Sequence, residues 1–181
     1  MTDKEIKVVD IQAMPPEKTR INDNVHVVLR NKDGKIKYEE WGSNLVTDVG
    51  DSIIAGRLYD DAVDIITGMK LGTGTTAAAK NGTYSGMETY ISGSQEALDA
   101  AATDATKGAG AGWRTTYVCT WVAGDVTNSA ITEVCLTNQT ALADNTSAAA
   151  DTMARYLFVS AINKTAGDEL EVTWQIDTLG A

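Results

Sequence analysis

Apolar and polar residues alternate most cleanly from Leu170 to Asp177, where Leu170, Val172, Trp174 and Ile176 fall on one side and Glu171, Thr173, Gln175 and Asp177 on the other. A side-chain period of two predicts a strand buried on one face. The same period sets Thr115, Tyr117, Cys119 and Trp121 against Arg114, Thr116, Val118 and Thr120, and a further strand is expected over Ile131 to Leu136. Tyr156 to Ile162 is apolar on both sides, as expected near the middle of a packed sheet. The links Ala123-Gly124-Asp125-Val126-Thr127-Asn128 and Asn163-Lys164-Thr165-Ala166-Gly167-Asp168 are turn-forming, so each flanking pair of strands is predicted as a hairpin. Trp121 and Trp174 fall on the apolar side of their strands and are expected in the core.

Nearer the N-terminus, Val25 to Leu29 and Ile36 to Glu39 flank Asn31-Lys32-Asp33-Gly34-Lys35. That loop fits a type I turn closed by a left-handed Gly34, with Val25, Val27, Leu29, Ile36 and Tyr38 on one face and His26, Val28 and Arg30 on the other. From Ser43 or Asn44 to Leu58 the spacing becomes helical, through Leu45, Val46, Val49, Ile53, Ile54 and Leu58. A helix at about 44–58 is expected to pack on the sheet, weakened by Gly50 and Gly56 at about 1 kcal/mol each. Residues 1–24 read as an extended arm, because Pro15 and Pro16 oppose both helix and central strand. Its candidate partner contacts are Ile6, Val8, Val9, Ile11, Pro15 and Pro16.

Residues 84–112 show no sustained period, apart from a short helical possibility at Gln95 to Ala102, and are expected to form a long surface excursion. About seven strands with one helix predict a mainly β fold, an antiparallel β-sandwich over residues 25–181. It is expected to be jelly-roll-like, since the cysteine-tryptophan-cysteine arrangement of immunoglobulin domains is absent.

With 181 residues and 43% hydrophobic content, the chain has enough apolar material for one sizeable core. Apolar runs are shorter than the 18 or so residues of a spanning helix, and no secretion signal opens the sequence, so no membrane partner is expected. The net charge of −10, with scattered basic residues, opposes nucleic-acid binding. Cys119 and Cys135 are expected as buried thiols, since two cysteines alone make no disulfide framework.

Candidate chemistry is sparse. Gly72, Gly74 and Ala77 match the spacing of a dinucleotide loop after a possible strand at Ile65 to Leu71, with Glu96 near the distance of a ribose ligand. The period-two strands after Lys107 are not those of a parallel doubly wound sheet, so Gly72 and Gly74 are read as a strand end and turn, and no cofactor is expected. His26, the sole histidine, has no nucleophile or carboxylate cluster beside it in sequence. Asp60, Asp61 and Asp64 lack the oxygen spacing and glycine of a calcium loop. Glu133 and Glu171 would make a glycosidase dyad only at the right separation. No catalytic or metal-binding residue is therefore assigned, and an enzyme is not expected.

Five short motifs carry a resemblance. Asn44-Leu45-Val46-Thr47-Asp48-Val49-Gly50, Leu71-Gly72-Thr73-Gly74, Ile131-Thr132-Glu133-Val134, Ala154-Arg155 and Thr173-Trp174 follow the order found in a group of tailed-bacteriophage virion proteins, which the chain resembles from about Gly42 to Ile176. The resemblance implies a head-decoration or cement protein, or a tail-fibre or baseplate component. It would be assembled in the host cytoplasm into a virion, as a homo-oligomer (a trimer by analogy) on the major capsid protein or other virion proteins. A receptor- or carbohydrate-binding β-sandwich module is the alternative. Where the family pattern has a leucine- and glutamate-containing segment after the Gly-Thr-Gly turn, this chain has the alanine- and glycine-rich stretch 81–112.

Overall fold

The computed structural model describes residues 20–59, 65–100, 104–107, 112–138 and 151–179. Its strands are β1 (Arg20–Arg30), β2 (Ile36–Gly42), β3 (Leu45–Val46), β4 (Gly68–Gly72), β5 (Glu96–Ala97), β6 (Asp104–Lys107), β7 (Gly112–Trp121), β8 (Asn128–Thr137), β9 (Thr152–Lys164) and β10 (Glu169–Leu179). The helix α1 spans Asp48–Tyr59. A first sheet has the order β2-β1-β10-β7-β6 and a second the order β3-β9-β8-β4-β5, all neighbours antiparallel.

The two sheets pack face to face as the expected β-sandwich. Val25, Val27, Leu29, Cys119, Trp121, Leu170, Val172 and Trp174 of the first share one core with Met69, Leu71, Ile131, Val134, Leu136, Tyr156, Phe158 and Ile162 of the second. Each large apolar side chain removed from water here contributes about 1.5–3 kcal/mol. Trp121 and Trp174 are fully buried, as expected.

The turns after β7 and β9 fall where the sequence puts them, but neither makes a hairpin. β7 pairs with β10 and β8 with β9, so each turn carries the chain from one sheet to the other. The four strands are a long two-stranded ribbon folded across the sandwich. Alternation reports which side of a strand is buried and is silent on which strand lies beside it, so both arrangements fit one sequence. The fold point is pinned by the buried Lys164, whose Nζ donates to the carbonyls of Val122 (2.9 Å) and Asp125 (2.6 Å), and by Gly124 N–H on Ala166 C=O (2.8 Å).

The β1–β2 hairpin closes as expected. Gly34 has φ +76° and its N–H donates to Asn31 C=O (2.8 Å). Ile36 departs from its expected place and is 47% exposed, because the register shifts between Leu29 and Arg30 and leaves the start of β2 beyond the core. β1 begins at Arg20, opposite Leu179, so the arm expected over 1–24 stops short of its expected boundary.

The helix starts later than its spacing suggests. Leu45 and Val46 are strand, paired with Arg155 and Ala154, and Thr47 caps the helix by accepting Gly50 N–H at its Oγ1 (3.0 Å). Leu58, expected on the packed face, is 88% exposed. Gly50 strengthens the packing: a Cβ there would strike the carbonyl oxygen of Met153 and the Val46 side chain.

The excursion at 84–112 has more structure than its composition suggests. It runs through the short 3-10 helix Thr83–Ser85, adds β5 beside β4, and returns as β6 beside β7. It therefore covers one flank of the sandwich, passing from the edge of the second sheet to the edge of the first. Glu96–Ala97 is strand, where the sequence allows a short helix over Gln95 to Ala102.

Candidate functional site

The glycine turn after β4 lies on the outer side of the second sheet, where the chain from Thr73 to Ser94 folds over Glu133 and Arg155. Both side chains are fully buried. Glu133 Oε1 accepts the N–H groups of Gly74 (2.8 Å) and Thr89 (2.8 Å), and its Oε2 accepts Glu88 N–H (3.1 Å) and Arg155 Nε (2.7 Å). Arg155 Nη1 donates to Tyr84 C=O (3.2 Å), and Nη2 lies 3.6 Å from Glu88 Oε2. Glu88 in turn accepts the N–H groups of Thr75 (2.8 Å) and Thr76 (2.7 Å) and the Thr76 hydroxyl (2.8 Å). The Thr76 bonds, backbone first, hold the Glu88 carboxyl below its ordinary range.

This arrangement decides the dinucleotide question. The N–H groups of Gly74, Thr75 and Thr76, which a phosphate would need, already point at two carboxylates of the same chain, and a bound anion would face both. Glycine is required by close approach instead: a Cβ on Gly74 would lie 2.6 Å from Glu133 Oε1, and one on Gly72 would collide with the same oxygen. Neither glycine has a positive φ, so the turn itself does not demand them. A buried carboxylate with three N–H donors and a guanidinium is a satisfied structural group.

Sequence reading missed this cluster. The available signal was a carboxylate at Glu133 inside Ile131–Leu136 and a guanidinium at Arg155 inside an apolar strand, one opposite charge on each of two neighbouring strands. Glu171 lies on the outer face of the first sheet, 3.9 Å from Arg30, so it and Glu133 belong to different sheets and form no dyad.

The second place of interest is the flank opposite the excursion. Among the described residues no strand pairs with the outer edge of β2. Trp41 is 61% exposed there, with its ring stacked on His26 (centroids 3.9 Å apart, planes 10° apart), and His26 Nε2 lies 3.0 Å from Glu39 Oε1. Glu40 points the other way, accepting the Val159 N–H (3.1 Å) and the Tyr38 hydroxyl. Burial first, and then Glu40, push the Tyr156 hydroxyl well above its ordinary value. A Cβ on Gly42 would fall on the Tyr156 ring, so this side of the sandwich is latched by β2 lying close over β9. Ile36, Trp41 and the 85%-exposed Val159 stand on this flank among the exposed Lys37 and Glu39.

Comparison of the chain with protein-family models, with curated proteins and with solved structures finds no match in any of the three.

The contact residues expected on the arm, Ile6, Val8, Val9, Ile11, Pro15 and Pro16, lie outside the described residues, as do Asp60, Asp61 and Asp64. His26 is a surface strand residue whose contacts are Trp41 and Glu39. Cys119 and Cys135 are buried thiols; burial raises both, Cys135 to about 12. Among the described residues no group of three His, Cys, Asp or Glu side chains could hold a metal.

Proposed function

We propose that this chain is a non-enzymatic structural protein of a tailed-bacteriophage particle, decorating or cementing the capsid through protein–protein contacts as a homo-oligomer. The observation that supports this reading is the convergence of motifs distant in sequence. Gly72 and Gly74 of the Leu-Gly-Thr-Gly turn, Glu133 of the Ile-x-Glu-Val strand and Arg155 of the Ala-Arg strand meet in one buried cluster. Leu45 and Thr47 of the Asn-Leu-Val-Thr segment join it through β9: Leu45 pairs with Arg155, and the Thr47 hydroxyl donates to Thr152 C=O (2.6 Å). These residues are spent on holding a turn and a strand in place. A pattern whose chemistry is consumed inside the fold suits a scaffold recognised by its surface.

The test is to separate particles into heads and tails and to quantify the chain in each by mass spectrometry against the major capsid protein. Many copies in heads are expected. A few copies confined to tails would replace decoration with a fibre or baseplate role. Because Arg20–Asn24 belong to β1, the arm deletion that accompanies this test removes residues 1–19, and the expected product is a folded sandwich that no longer binds heads.

A second reading, a carbohydrate- or receptor-binding module, is favoured by Trp41, an exposed ring held flat against His26 on a polar sheet face. Under it the isolated protein would bind glycans, with a Trp41→Ala variant losing the binding.

A further inference from the structure

Among the described residues the outer edge of β2 is unpaired. β2 ends the first sheet at the side away from β6 and presents a seven-residue edge with Trp41 and Ile36 exposed. Exposed strand edges pair with other strands unless charges or proline blunt them. Here the strand carries one charge of each sign two residues apart, Lys37 and Glu39, both ahead of Trp41 and both exposed, so the two become complementary when a second copy runs antiparallel.

We infer that β2 is the contact between two copies of this chain, paired antiparallel about a two-fold axis through Tyr38. The register follows from charge complementarity. With Tyr38 facing the partner's Tyr38, Lys37 lies opposite the partner's Glu39, and symmetry repeats the pair. Shifting the axis by one residue to Glu39 would set two carboxylates directly opposite, which is repulsive. Glu39, 46% exposed, keeps one oxygen on His26, and Lys37, 36% exposed, reaches Asp168, so both are held in place at the edge. The pairing joins the two first sheets into one continuous ten-stranded sheet. A two-fold contact gives a dimer, where the virion resemblance implies a trimer.

The full chain is tested by sedimentation velocity over a dilution series. Wild type is expected to be a dimer. Glu39→Lys sets two lysines opposite each other at both symmetry-related positions, and Lys37→Glu does the same with two carboxylates. Each variant is expected to weaken association on the order of tenfold or more. An equimolar mixture of the two variants restores two opposite-charge pairs, and dimers are expected to return. If Lys37→Glu proves unstable through loss of its Asp168 contact, hydrogen exchange of the wild-type β2 amides decides, with protection expected to fall on dilution. A monomeric wild type, a trimer unaffected by Glu39→Lys, or a mixture that stays monomeric overturns the inference. Particle fractionation reports separately on the virion role, so either can fail alone.

Discussion

Arg155 shows how one side chain can hold a fold. It is fully buried, bonded to Glu133 on the neighbouring strand and to Tyr84 in the covering segment. Arg155→Met keeps the volume and removes the charge, leaving Glu133 buried with N–H donors alone; breaking a buried pair in this way costs about 3–5 kcal/mol. The expected outcome is a loss of that size in urea unfolding, with less protection for amides from Thr73 to Ser94. At this scale the sequence is a partial guide. Gly72 and Gly74 announce a turn, but the reason they must be glycine is a carboxylate from a strand some 60 residues later, and no local pattern carries a contact of that range. Val25, Val27, Trp121 and Trp174 were legible because alternation alone determines which side of a strand is buried.

Among the elements, the turn from β9 to β10 is expected to respond to acid. Asp168 is almost fully buried and accepts from Lys37 Nζ (2.6 Å), Thr165 N–H (2.7 Å) and the Thr165 hydroxyl (2.7 Å). Burial alone would raise its carboxyl, but these bonds prevail and hold it at about 2, below the ordinary 3.8. A depressed carboxyl contributes stability that is fully present above pH 3.8 and is lost as pH falls through 2. Stability measured by denaturant titration should therefore decline over that window. In Lys37→Met the decline should be shallower and the stability at neutral pH lower; an unchanged acid profile would contradict this role for Lys37. Turn chemistry located this element in the sequence, as it did Gly34. The destination of the chain after the turn was not legible, since hairpin and crossover share the same turn residues and strand period.

Cys119 and Cys135 lie in different sheets, and each thiol is shielded by burial. Neither is expected to react with a disulfide reagent at pH 8 until the fold opens. Matching labelling rates would show that the two sheets open together; a faster Cys119 would show that the first sheet opens alone. The architecture of the whole was half legible: a sandwich follows from period and composition, while the covered and open flanks follow from where the excursion runs. The position of β10 also bears on biosynthesis. β10 lies in the middle of the first sheet, between β1 and β7, whereas the second sheet is complete once β9 exists. On the ribosome the second sheet can assemble as soon as β9 emerges, while β1 and β2, made first, must wait for β10 to join them to β7.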